Sequence, residues 1–329
     1  MCMNIKIFLA KKKMNTSNCN LTLTDGVHLF QMVFYIPVFI LGLIFNISAL
    51  VMFFWKQKNW TDTLIYLTNL SISDCILLFA LPFKMHSYNT EWEATTLSFC
   101  QFLVSSYYVN MYVSILTVTV ISIVRYVAIK FPFKAKTIQS RRKAIIVCIL
   151  LWLTVCSLSA VFHLVDTPEK NTTQIKCFQK NTSKPLPLSF ILVLEIVGFF
   201  GPFLIITFCS VQIICTLSKY NAMSSGRERT KSIRIIAANF VVFLVCFAPF
   251  HLGFLFKFLV ETLRPNNCQL LQGFHTFVHI ASCIANANCC LDVFCYYFIL
   301  KDFRITSAAQ SPISDKFNMK KFSFQSGVL

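Results

Sequence analysis

Seven ionisable side chains fall inside long apolar stretches of this 329-residue chain: Asp74, Lys84, Arg125, Glu195, His251, Lys257 and Asp292. A charge in such surroundings is costly unless a partner, a cation or a proton neutralises it, so each is a candidate for function. Asp292 is the plainest case, one carboxylate in the run NCCLDVFCYYF, residues 288–298. Asp74 is a second. Carboxylates placed this way can hold a cation or exchange a proton. Lys84, just after Pro82 and Phe83, offers the opposite chemistry, a cation for an anionic group. Lys170, Lys176, Lys180, Lys184 and Arg264 lie toward the same side and pair well with phosphate. Lys257 is read as a lysine snorkelling to the outer rim. His275 and His279 fit equally as satisfied pocket histidines or as anion contacts. Asn46, Asn69, Ser114, Asn286 and Asn288 are mid-stretch polar groups that can bond one helix to another.

The elements that must position these residues follow from composition. The chain is 56% hydrophobic and only 13% charged, about half the charged fraction of soluble proteins. Its apolar residues come in seven blocks at 29–54, 63–86, 99–124, 144–165, 188–217, 233–260 and 270–300. A bilayer core needs about 20 apolar residues per helix. The expectation is an all-α membrane protein: an outer segment over 1–28, a bundle of seven transmembrane helices over 29–300, and a cytoplasmic short amphipathic helix and tail over 301–329. The tail is rich in Ser and Lys, with Phe298, Ile299 and Phe303 as the membrane-facing stripe of its short helix.

Lys and Arg set the orientation. Lys56 and Lys58, then Lys130 to Lys143, then Lys219 to Arg234, then the tail from Lys301 mark alternate loops as cytoplasmic and the N-terminus as extracellular. The net charge of +17 is therefore a topology signal, split among short loops, and not a nucleic-acid surface. Lys11, Lys12 and Lys13 oppose this orientation; a start at Met14 would remove the conflict. The sequons at Asn15, Asn20, Asn171 and Asn181 support it, since all four fall outside and are candidates for glycosylation. Of 15 cysteines, Cys19, Cys100, Cys177 and Cys268 lie outside or at the outer rim. An even number in an oxidising compartment implies two disulfides, with three pairings open. There is no nucleophile motif, Gly-rich phosphate loop or metal-ligand spacing, so no enzyme and no cofactor are expected. A transporter or channel is the other class with polar groups in its spans, but it usually shows internal repeats and discontinuous helices.

The ordered motifs carry a resemblance. GLIFN with Asn46, NLSISD with Asp74 followed by LPF, VRY at 124–126 followed by IKFPF, Trp152, Pro202, CFAPF at 246–250 and DVFCY at 292–296 resemble the rhodopsin-like (class A) G-protein-coupled receptors over about residues 25–305. Within that family LPFKM, PFHLGF and CCLDVFCYYF are similar to receptors for lysophosphatidylinositol. Receptors for lysophosphatidate, nucleotides and kynurenate share fragments of the pattern.

The resemblance implies roles. Asp74, Ser114, Asn288 and Asp292 would form a central polar cluster that holds sodium, as an allosteric ligand favouring the inactive state. Two carboxylates in a low dielectric need such a cation or a shared proton. Arg125, Ile115, Pro202, Phe243, Phe247, Pro249 and Tyr296 would carry the activation switch. Arg125, Pro132 and Phe133 would contact a heterotrimeric G protein, with the G12/13 and Gq classes expected. Cys100 would pair with Cys177, leaving Cys19 with Cys268. An anionic lipid-like agonist would meet Lys84, Tyr107, Met111, Phe190, His251, Phe254, His275 and His279. Tyr108 and Tyr112 are expected to face inward from the third helix, and Phe199, Phe250 and Phe256 to add bulk for an acyl chain. The implied location is the plasma membrane.

The chain also departs from the pattern. Val124 stands where the family has an acidic partner for the arginine, Phe247 where it has tryptophan, Val293 where it has the seventh-helix proline, and Ser210 where a fifth-helix tyrosine is common. Val104 stands where the lysophosphatidylinositol receptors carry a glutamate, which would leave Lys84 freer for a ligand.

Overall fold

The computed structural model describes residues 19, 21–56, 60–88, 90, 92–165, 174–175, 177–178, 187–219 and 226–292. Its elements are α1 (Asp25–Lys56), α2 (Asp62–His86), α3 (Leu97–Lys130), the short α4 (Pro132–Ile138), α5 (Arg141–Val165), α6 (Leu188–Glu195), α7 (Gly201–Lys219), α8 (Gly226–Leu263) and α9 (Cys268–Asn286). A π-helical turn, Ile196–Phe200, joins α6 to α7 into one long span. Two short strands, β1 (Trp92–Glu93) and β2 (Gln174–Ile175), pair antiparallel in the outer loops.

Six helical segments are long and apolar enough to cross a membrane: Asp25–Trp55, Asp62–His86, Leu97–Lys130, Arg141–His163, Leu188–Lys219 and Ile233–Leu263. The seventh, α9, breaks at Ala287, resumes over 288–292, and is described no further. The chain is thus an all-α membrane protein. The helices overrun the apolar blocks: α1 begins at Asp25 instead of 29, α3 continues to Lys130 instead of 124, and α8 begins at Gly226 instead of 233. Helical hydrogen bonding continues past the hydrocarbon edge because charged residues are good helix formers. The short C-terminal helix and tail, Tyr296, and the sequons at Asn15, Asn20, Asn171 and Asn181 lie outside the described residues.

Each span shows one face to the bundle and one to lipid. Along α1, Tyr35, Val38, Asn46, Ala49 and Phe53 are buried, while Ile36, Ile40, Ile44, Ile47 and Val51 are exposed. In water such a row would be an aggregation-prone patch; in a bilayer it is the lipid-facing surface. The start of α2 is fixed by Thr61, whose hydroxyl accepts from the Leu64 amide at 3.2 Å, with Asp62 in the first turn. The spans are tied by polar groups. Asn69 donates to Thr117 Oγ1 at 3.0 Å and accepts from Trp152 Nε1 at 2.8 Å, joining α2, α3 and α5. Asn46 donates to the Cys289 carbonyl at 2.9 Å and so ties α1 to the segment after the Ala287 break.

Candidate functional site

The outer ends of the helices are closed by two disulfides, Cys19–Cys268 and Cys100–Cys177, with Cα–Cα distances of 5.4 and 5.7 Å. The second fastens the outer loop to the top of α3, and the residue after it, Phe178, has a φ of 63°. That left-handed conformation costs a residue with a Cβ about 1–3 kcal/mol and persists only where its surroundings enforce it. Here it turns the Phe178 ring over Lys84.

Lys84 sits in the last turn of α2 and is 4% exposed. Its ammonium lies 3.7 Å from the centroid of Tyr107, 5.2 Å from Phe178 and 5.9 Å from Tyr35. Among the described residues no carboxylate pairs with it. The three rings lower the cost of the buried charge by cation–π attraction without neutralising it. A hydroxyl chain fixes the rings: Tyr35 and Tyr107 share a 2.8 Å hydrogen bond, Tyr107 donates to Ser282 Oγ at 3.0 Å, and Asn286 donates to the Tyr35 hydroxyl at 3.2 Å. On α9, His275 and His279 stand one turn apart with ring centroids at 4.7 Å. This wall is therefore cationic and aromatic, suited to an anion.

The other expected ligand residues divide. Met111 is buried in the apolar core with Phe199, Phe247 and Phe250, and Phe254 stacks on Phe250 at 6.1 Å. Phe190 stacks on Phe162 at 6.2 Å, at the junction with α5. His251 is fully buried and faces Glu195. Tyr112 packs inward against His251 at 5.8 Å. Tyr108 is 37% and Phe256 48% exposed; Tyr108 meets the Tyr107 ring edge-on at 5.2 Å, and Phe256 stacks on Phe274 at 5.8 Å. Lys257 does lie near the outer end, paired with Glu261 at 3.7 Å.

The expected cation set lies deeper. Asp74 is fully buried, and its Oδ1 accepts from Asn110 Nδ2 at 2.9 Å. Asn288 Nδ2 donates to Asp292 Oδ2 at 2.7 Å. Asp74 Oδ2 and the Ser114 hydroxyl are buried with no hydrogen-bond partner among the described residues. Hard cations take oxygen ligands, so these two orphaned oxygens fit a small cation. Asn110 was missed from sequence, although it precedes Ser114 by one helical turn.

Toward the cytoplasm Ile115, Phe243 and Phe247 are buried in one cluster with Ile206 and Cys246. Pro202 is also buried, at the start of α7, and Pro249 lies within α8. Below them is a cavity of about 40 Å³ lined by Arg125, Ser210, Asn239, Asn288 and Asp292 among others. Val124 packs against the apolar cluster of Leu67, Leu70, Ile121 and Ala144, so an apolar side chain suits that position. Pro132 and Phe133 are exposed on α4, Phe133 at 88%.

This architecture has relatives. The family model "7 transmembrane receptor (rhodopsin family)" matches residues 45–296. The chain is similar to G-protein coupled receptor 55 of Mus musculus, 33% identical over 91% of this chain and 94% of that protein. It is similar to G-protein coupled receptor 35 of Mus musculus, 32% identical over 89% and 93%. Lysophosphatidic acid receptor 6 of Mus musculus is 37% identical over 79% of this chain and 78% of the relative. The chain belongs to the rhodopsin family of seven-transmembrane receptors.

Proposed function

We propose that this receptor is activated at the plasma membrane by a lysophospholipid of the lysophosphatidylinositol type and signals through heterotrimeric G proteins of the G12/13 and Gq classes, with its N-terminus extracellular. The observation that carries the ligand class is Lys84: a buried cation with no carboxylate partner among the described residues, under an aromatic lid. A phosphodiester entering that space loses its hydration and gains a fixed ammonium in return. Tyr107, His275 and His279 extend the polar wall. Met111, Phe190, Phe254 and His251 supply the deeper, mostly apolar surface for an acyl chain, whose burial is worth about 0.8 kcal/mol per CH₂. The names of relatives that bind lysophosphatidic acid support the same class.

Asp74, Ser114, Asn288 and Asp292, joined by Asn110, would hold sodium in the resting receptor. Arg125, Pro132 and Phe133 would meet the G protein once the sixth span moves outward. The deciding experiment is a panel of lysophosphatidylinositol, lysophosphatidate, nucleotides and kynurenate on receptor-expressing cells, read by Rho activation and calcium release. Lysophosphatidylinositol should act at the lowest concentration. A response confined to lysophosphatidate, a nucleotide or kynurenate would reassign the head group, and silence to all four would overturn the ligand class.

A further inference from the structure

A buried acid–base pair stands apart from both the Lys84 wall and the Asp74 cluster. Glu195, the last residue of α6, and His251, on α8, are 3% and 0% exposed. His251 Nδ1 lies 3.4 Å from Glu195 Oε2. Neither ring nitrogen and neither carboxylate oxygen has a hydrogen-bond partner among the described residues. The imidazole is clamped between rings: Phe199 stacks on it at 4.6 Å and 10°, and Phe250 and Tyr112 meet it edge-on at 5.4 and 5.8 Å.

The backbone places the acid there. The π turn begins directly after Glu195 and adds a residue to the span's register. Glu195 and Phe199, four residues apart, are both buried on the bundle side. Gly198 makes room: a Cβ there would stand 2.5 Å from Tyr112 Cε1. π turns of this kind cluster at functional sites.

We infer that Glu195 and His251 form a latch between the fifth and sixth spans that holds the receptor in its closed arrangement. In the closed arrangement of this structure the fifth and sixth spans pack together beside Arg125, where Ile206, Ile213, Ile236, Phe240 and Phe243 line one small cavity. Opening the cytoplasmic face requires the sixth span to shift against the fifth. The shift would draw the Glu195 carboxyl away from the His251 ring in a dry interior, where a polar group left without a partner is heavily penalised. Phe199 also stacks on Phe243 at 5.9 Å, which couples the latch to the core below it. The pair therefore favours whichever arrangement keeps it together, and in this structure that is the closed one.

The inference rests on the G-protein reading, and because His251 also belongs to the proposed acyl-chain surface the test is made without agonist. The test measures agonist-independent nucleotide exchange in membranes at matched surface expression, using the heterotrimer that gives the wild type its largest basal signal. Glu195→Gln and His251→Asn should each raise basal exchange about threefold or more. The double variant Glu195→Gln/His251→Asn should go no higher than the larger single effect, and the swapped pair Glu195→His/His251→Glu should return toward wild type. Unchanged basal exchange in the singles, additive effects, or a swap as active as the singles would overturn the latch. If a single variant is retained inside the cell, the uncharged double variant decides, since it leaves no charge to bury: basal exchange at the wild-type level overturns the proposal. If the wild type activates no heterotrimer, the coupling reading fails by itself. Melting temperatures of the detergent-purified wild type, the two single variants and the uncharged double variant then test the pair, and additive losses refute it.

Discussion

Lys84 is the residue whose chemistry was most legible in sequence, a lone cation after Pro82 and Phe83 in an apolar block. Its lid was not legible, because Phe178 and Tyr35 reach it from distant parts of the chain and no spacing encodes that meeting. If Lys84 anchors the phosphate, Lys84→Ala removes a charge-assisted bond of about 1.5–3 kcal/mol, which is roughly a ten- to 150-fold loss of agonist potency. Lys84→Arg should keep part of the response. A loss under about threefold at normal surface expression would move the anchor to Arg264 or the basic outer loop. The deeper polar groups were partly legible. Asp74, Ser114, Asn288 and Asp292 stand out in sequence by their positions in the family pattern, whereas Asn110 was missed because its bond to Asp74 crosses from α3 to α2. Sodium should lower wild-type agonist affinity, and Asp292→Asn should abolish that sensitivity while the receptor still reaches the surface. A wild type indifferent to sodium would remove the cation from this site.

At the scale of elements, apolar blocks locate spans but not their internal irregularities. The π turn at Ile196–Phe200 leaves no mark in hydropathy, and neither does the break at Ala287. The turn depends on Gly198, whose missing side chain admits the Tyr112 ring. Gly198→Ala should therefore lower the melting temperature of purified receptor, since overpacking typically costs about 1–3 kcal/mol; an unchanged value would show that Tyr112 moves aside freely. Val124 is a second case. The sequence showed an acid missing beside Arg125. The structure adds that Val124 packs against the apolar cluster between α2, α3 and α5. A carboxylate at the edge of that cluster would face Arg125 and restrain it, so Val124→Asp should lower basal signalling and spare the agonist response. An unchanged or higher basal level would place the restraint on Arg125 elsewhere.

For the molecule as a whole, the Lys and Arg distribution argues the orientation, and the two bridges distinguish its outer surfaces. Cys19–Cys268 spans 249 residues and Cys100–Cys177 spans 77. A chain-entropy argument for a soluble protein would give the longer loop the larger effect, about 5.5 kcal/mol against about 4.5. Membrane insertion weakens that ranking, because unfolded spans remain in the bilayer and their ends cannot separate as a free coil would. What matters is what each bridge positions. Cys19 brings the N-terminal segment to the start of α9, where Gln272 Nε2 donates to the Thr22 carbonyl at 2.6 Å. Cys177 holds Phe178 in its left-handed conformation over Lys84. The paired change Cys19→Ser/Cys268→Ser should consequently lower the melting temperature slightly and agonist potency a few-fold. Cys100→Ser/Cys177→Ser should remove most of the agonist response, even in the fraction that reaches the surface. Equal losses from the two pairs, measured as potency against surface-labelled receptor, would show that the bridges act on stability alone and that the lid over Lys84 contributes nothing to recognition.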